Sequence, residues 1–234
     1  MKLLLISNST NVGESYLAYP MPYIEEFLGQ KPLQAVFIPY AAVTFSYDEY
    51  ELKVKERFQA IGYNITSIHR ATDPVQAIEK AEVIVVGGGN TFHLLSKIYE
   101  NKLFDVVCKQ VVQGVPFIGW SAGSNVACPT ICTTNDMPII QPQSFKAFDF
   151  VPFQINPHYI DTNPAGHAGE TREQRIEEFL EVNKNIYVVG LREGCILKIE
   201  NNDVLHIGKK SLRVFHYDQE SKEYTSENDL GFLM

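Results

Sequence analysis

The chain has 234 residues, of which 45% are apolar and 21% charged, with a formal net charge of -8. This is the composition of an ordinary globular protein with room for a large core. The acidic balance and the lack of any basic run argue against nucleic acid as a partner, and no stretch approaches the roughly 18 to 20 continuous apolar residues of a membrane span.

Residues 3–7 read as a first β-strand. The apolar run there is four residues long and is stopped by Ser7, Asn8 and Ser9, too short for the apolar region of a secretory signal. A cytoplasmic protein is therefore expected. A helix through Ile24, Phe27 and Leu28 follows, then a strand over 35–39. Tyr50, Val54 and Phe58 recur at helical spacing within a helix over 47–61, which Gly62 stops. A strand is expected over 64–69. Asp73 caps a short helix with Pro74 at its first position.

The segment E-V-I-V-V-G-G-G-N-T-F, residues 82–92, is a β-branched run ending in three glycines. It reads as a strand buried on both faces, followed by a helix to about Tyr99 that Asn90 or Thr91 caps. Glycines at the C-terminal end of a parallel strand lie where such sheets bind ligands. Their backbone N–H groups are candidate oxyanion donors or a phosphate cradle, although neither G-x-G-x-x-G nor a Walker lysine is present.

A helix over 103–113 leads into P-F-I-G-W-S-A-G-S-N-V-A, residues 116–127. Here G-x-S-x-G lies between an apolar strand and small helix-compatible residues, the setting of a nucleophile elbow. Ser121 is the candidate nucleophile, and the N–H of Ala122 is one natural oxyanion donor. A turn-rich loop containing Asp136 follows. An extended apolar segment over 148–155 ends in Asn156-Pro157-His158, then a polar loop, then a helix from Thr171 to about Val182. A buried strand over 186–191 precedes three short runs at hairpin spacing, 195–199, 204–207 and 212–217. These read as an antiparallel appendage to a mostly parallel α/β sheet flanked by helices. No repeat or linker divides the chain, so residues 1–234 are expected to form a single domain.

Of the six histidines, His158 is the best candidate base, because it follows an apolar strand. The others are His69 beside the sheet ends, His93 in a helix first turn, His167 in a loop, and His206 and His216 in the hairpins. Asp136 and Glu193 are both candidates for the acid that orients the base, and spacing does not choose between them. The four cysteines, Cys108, Cys128, Cys132 and Cys195, do not form a zinc pattern; they read as reduced core thiols.

Six blocks in order, L-L-L-I-S-N-S-T, V-V-G-G-G-N-T-F, I-G-W-S-A-G, T-T-N-D-M-P, Q-I-N-P-H and G-E-T-R-E-Q-R-I, together resemble peptidase E, the α-aspartyl dipeptidase family. The resemblance runs from Met1 to about Glu193. It implies a flavodoxin-like core related to class I glutamine amidotransferases, with serine in place of the cysteine at the elbow. It also implies cleavage of dipeptides with an N-terminal aspartate, without metal or other cofactor. Carried onto this sequence, Ser121 is the nucleophile and His158 the base, while the third member stays divided between Glu193, preferred, and Asp136. Gly88 or Gly89 joins Ala122 in the oxyanion hole. Arg172 suits the substrate β-carboxylate by its bidentate geometry, Asn90 is placed with it in the substrate site, and Asp136 otherwise serves the α-ammonium. Small acidic dipeptides are the expected partners, and the chain is expected to be a monomer or homodimer. Two other readings stay open: an α/β-hydrolase esterase, whose usual order is Ser, acid, His, and a non-catalytic binder of small acidic ligands.

Overall fold

A computed structural model describes residues 1–29, 33–163, 166 and 168–234 of the protein. Five parallel strands make the centre: β1 (Lys2–Ile6), β2 (Gln34–Ile38), β3 (Asn64–Ser67), β4 (Val83–Val86) and β5 (Phe117–Trp120). Two more, β8 (Ile196–Glu200) and β9 (Asp203–Ile207), extend the sheet antiparallel from β1, giving the order β3-β2-β4-β5-β1-β8-β9. Strands in this centre alternate between two apolar layers. Leu3, Leu5, Ile84, Val86 and Phe117 enter one, and Leu4, Ile6, Val83, Val85, Ile118 and Trp120 enter the other. This two-sided burial is why these strands read as continuous apolar runs.

Helices α1 (Met21–Leu28), α2 (Tyr47–Ala60), α3 (Pro74–Glu79), α4 (Thr91–Glu100), α5 (Leu103–Val112) and the single turn α6 (Ala122–Asn125) connect them. Asp73 caps α3 by accepting from the Gln76 N–H, as its position suggests. Asn90, not Thr91, caps α4, accepting from the His93 N–H at 3.0 Å. The strand expected over 64–69 ends at Ser67 and gives way to a 3₁₀ turn, Ile68–Arg70.

The largest departure from expectation is a second sheet. Strands β6 (Gln154–Tyr159), β7 (Val188–Arg192), β10 (Leu212–Phe215) and β11 (Lys222–Tyr224) form it in the order β11-β10-β7-β6, with β6 and β7 parallel. The C-terminal runs are therefore shared out: β8 and β9 complete the central sheet, and β10 joins the strand over 188–192 instead. Helix α7 (Arg172–Val182) covers this sheet, burying Ile176 and Leu180 against Tyr159, Val188 and Phe215.

The strand expected from residue 148 begins only at Gln154. The preceding apolar residues are buried, but their N–H groups serve another element. Phe148, Asp149 and Phe150 donate to the carbonyls of Val126, Cys128 and Ala127, just past the end of α6. Those carbonyls have no partners inside so short a helix, and the segment satisfies them. His158, expected just beyond the strand, lies within β6 at a bulge between Pro157 and Tyr159, with φ of 53°.

Candidate active site

Ser121 stands between β5 and α6 with φ of 53° and ψ of -113°, outside the usual regions for a non-glycine residue. The glycines around it are explained by contact. A Cβ on Gly119 would lie 2.3 Å from the Gly123 carbonyl oxygen, and one on Gly123 would lie 2.2 Å from that of Val86. The elbow can thus be this tight only with hydrogen at both positions. Ser124 locks the turn from behind, its Oγ 2.8 Å from the carbonyl oxygens of both Ile6 and Gly119, which share its single O–H.

Ser121 Oγ lies 3.0 Å from His158 Nε2, and His158 Nδ1 lies 2.8 Å from Glu193 Oε1. The serine comes from the central sheet, whereas the histidine and glutamate come from β6 and the end of β7 in the second. The sharply left-handed backbone at the bulge turns the imidazole toward the serine. Asp136, the other carboxylate in question, is engaged elsewhere. Its Oδ2 accepts from the Thr91 N–H at 2.7 Å, the Thr91 hydroxyl at 2.6 Å and the Thr134 hydroxyl at 3.1 Å. That is the N-terminus of α4, where a carboxylate is favoured.

Two polar residues just after β1, to which the sequence assigns no role in the site, join its halves. Buried Ser7 donates to the Leu191 carbonyl at 2.7 Å and accepts from the His158 N–H at 3.0 Å. Buried Asn8 accepts, through one oxygen, from Tyr19 Oη and from the Gly194 N–H, both at 2.8 Å. Sequence reasoning passes over both residues. Their signals are membership of the L-L-L-I-S-N-S-T block and polarity at the C-terminal end of a parallel strand, where sites collect.

The Gly-rich turn lies against the nucleophile: a Cβ on Gly88 would come within 2.9 Å of Ser121 Cβ. Along this turn the N–H of Gly87 donates to Ile38 and that of Asn90 to Ala41. Among the described residues, no group accepts from the N–H of Gly88, Gly89 or Ala122. Asn90 is less available than expected. Its Oδ1 caps α4, and its Nδ2 donates to the Met137 carbonyl at 2.9 Å.

A pocket of about 140 Å³ is lined by Asp136, Arg172, Cys132 and Phe179, among others, and by Asn156, two residues before His158 on β6. Arg172 forms no ion pair among the described residues. Burial pushes its guanidinium below the usual arginine range; Arg175 adds to that effect and Asp136 opposes it. Cys132 is exposed, unlike the core thiols Cys128 and Cys195. Burial raises the thiol of Cys195 to about 11. The loop over 159–170 is described only in part, and His167 lies outside the described residues.

Asp48, Glu51 and His69 bring three potential metal-ligating atoms within 4.8 Å of one another. The Arg70 guanidinium already pairs with both carboxylates there. Among the described residues no helix is long and apolar enough to cross a membrane.

A strained serine elbow on a mostly parallel sheet, with a histidine and a carboxylate aligned on its hydroxyl, defines the class as a serine hydrolase. The sequence comparisons narrow it. The model of peptidase family S51 matches residues 3–207. Peptidase E of Nostoc sp. strain PCC 7120 is 52% identical over 233 residues, covering 100% of this chain and 96% of its own length. Peptidase E of Salmonella typhimurium strain LT2 is 48% identical over 221 residues, covering 94% and 96% respectively. The chain belongs to peptidase family S51 and is a serine peptidase. Its fold is also that of a peptidase from an acI-B1 actinobacterium, with a TM-score of 0.70 at 15% identity over 98% of this chain and 96% of the other.

Proposed function

We propose that this peptidase hydrolyses dipeptides carrying an N-terminal aspartate, through an acyl-enzyme on Ser121. The observation that carries the reading is the small pocket in which Arg172, without an ion pair among the described residues, shares the lining with Asn156, two residues before the histidine aligned on the Ser121 hydroxyl. An arginine in such a pocket, half withdrawn from water, favours a bidentate carboxylate, and the aspartate side chain supplies one.

His158 takes the Ser121 proton as Oγ attacks the peptide carbonyl, and then delivers it to the leaving amine. Glu193 holds the imidazole tautomer and stabilises the imidazolium. Ala122 and one of Gly88 or Gly89 donate to the tetrahedral oxyanion. Water then releases aspartate from the acyl-enzyme, with His158 again as base. Asp136 adds negative charge to the pocket, where a substrate ammonium would be received. Asn90 serves indirectly, as the cap that fixes the turn.

The test is release of free leucine from Asp-Leu, compared with Glu-Leu, Ala-Leu and N-acetyl-Asp-Leu. Selective turnover of Asp-Leu that disappears in Ser121→Ala is expected. Equal turnover of Ala-Leu would remove the carboxylate pocket from the reading, and turnover of the acetylated peptide would remove the ammonium role. Turnover that survives Ser121→Ala would sink the acyl-enzyme.

A further inference from the structure

The phenol of Tyr50, a helix residue remote in sequence from every motif of the site, touches both walls of the proposed oxyanion hole. Its hydroxyl donates to the Gly88 carbonyl at 2.9 Å and accepts from the Trp120 indole N–H at 3.1 Å. Trp120 is the residue before the nucleophile, and Gly88 is the glycine packed on it. One buried hydroxyl thus ties the elbow to the Gly-rich turn.

The geometry of a trans peptide gives this bond a consequence. The carbonyl of Gly88 and the N–H of Gly89 belong to one planar unit and point in opposite directions. Drawing the carbonyl into the core toward Tyr50 therefore turns the Gly89 N–H outward. That N–H has no acceptor among the described residues. The phenol has no room to drift. Its ring is held edge-on by Phe37 at 4.9 Å and by Phe45 at 5.2 Å, between ring centroids, and a Cβ on Gly87 would meet its oxygen at 2.5 Å.

We infer that Tyr50 is a positioning residue that aims the Gly89 N–H, rather than that of Gly88, at the oxyanion formed on Ser121. The inference rests on the proposed acyl-enzyme reading and adds to it which glycine donates and what holds it. Tyr50 itself does not touch the substrate. Burial pushes its phenol up to about 12, so it stays a donor through neutral pH.

The experiment uses Tyr50→Phe, which keeps the ring and removes the hydroxyl. Direct loss of an oxyanion donor costs about 10²- to 10³-fold; loosening its aim is expected to lower kcat on Asp-Leu by about tenfold or more, with KM within about twofold. The boronic-acid analogue of aspartate, which forms a tetrahedral adduct on Ser121 Oγ, is expected to lose affinity by the same factor as kcat/KM. Free aspartate is expected to bind as before. Equal losses for boronate and aspartate, or an unchanged kcat, would overturn the inference.

A second measurement needs no variant. In the wild-type protein, the Gly89 amide proton is expected to move downfield when the boronate binds and not when aspartate binds. Movement of the Gly88 proton in its place would overturn the assignment. Ser121→Ala separates the two levels. If that variant still turns over Asp-Leu, the acyl-enzyme reading fails; if it is inactive while Tyr50→Phe matches wild type, only the role of Tyr50 fails.

Discussion

The backbone N–H of His158 donates to the hydroxyl of Ser7, a residue 151 positions earlier in the chain. The same hydroxyl donates to Leu191, two residues before Glu193. A single small side chain at the end of the first strand therefore fixes the histidine by its main chain and steadies the strand that delivers the glutamate.

Ser7→Ala removes both bonds, one buried and one part-buried, and a main-chain group left unsatisfied by the change costs about 1–3 kcal/mol. The expected melting shift is about 2–4 °C for each kcal/mol lost. Turnover is expected to fall more than stability suggests. A misplaced imidazole lowers kcat on Asp-Leu by about tenfold or more with KM nearly unchanged. Steady-state kinetics beside a melting curve decide it; a stability loss with an unchanged kcat would remove the positioning role.

The two candidate carboxylates separate by kinetic signature. Glu193→Gln keeps the shape of the side chain but withdraws the charge from His158, and kcat is expected to drop by about 10²- to 10⁴-fold. Asp136→Asn is expected to act mainly on KM, because Asp136 hydrogen-bonds to Thr91 and Thr134. The reverse pattern, measured on the same substrate, would exchange their roles.

Arg172→Met tests the pocket. Truncating one partner of a desolvated charge pair costs about 2 kcal/mol or more, about 30-fold in kcat/KM for Asp-Leu. Ala-Leu, which has no carboxylate to lose, is expected to change little, so the ratio of the two rates is the quantity to follow. A uniform fall for both peptides would mark Arg172 as structural.

Arg192 supports the site from the residue before Glu193. Its guanidinium donates to Glu223 Oε2 at 2.7 Å and Oε1 at 2.8 Å, to the Ser211 carbonyl at 2.7 Å, and to both oxygens of Asp161. The arginine holds both carboxyl groups below their ordinary values of 3.8 for Asp161 and 4.5 for Glu223. A depressed carboxylate stabilises the fold fully above its unfolded-state value and loses that contribution as pH falls through its folded-state value. Wild-type stability is therefore expected to decline below about pH 4.5, and the decline is expected to be shallower in Arg192→Met. Melting curves between pH 3 and 7 on both proteins check it; parallel acid limbs would show that other carboxylates dominate.

The elbow and the parallel strands were legible because their determinants are local. Gly119, Ser121 and Gly123 spell out a steric requirement within five residues, and buried strands such as Val83–Val86 announce themselves by β-branched runs. The second sheet was not legible. Strand partners are chosen by contacts far apart in sequence, so nothing near Val188 or Leu212 says that they leave the central sheet. Residues 148–153 misled for a related reason: their apolar side chains are buried like a strand's, but the N–H groups of Phe148, Asp149 and Phe150 go to carbonyls just past α6. Glu193, the carboxylate that faces His158, sits beside a turn held by Asn8 through the Gly194 N–H. A pairing across 186 positions has no local trace.

The division of the Ser–His–Glu alignment between two sheets bears on how the protein fails. Because Ser121 belongs to one layer and His158 with Glu193 to the other, a slight parting of the layers breaks the alignment while each keeps its own ladder of bonds. Partial opening of this kind is a normal part of native-state fluctuation. Catalytic competence is then a sensitive gauge of interlayer docking. Under mild denaturant or heat, activity is expected to fade before the circular-dichroism signal of the strands and helices does.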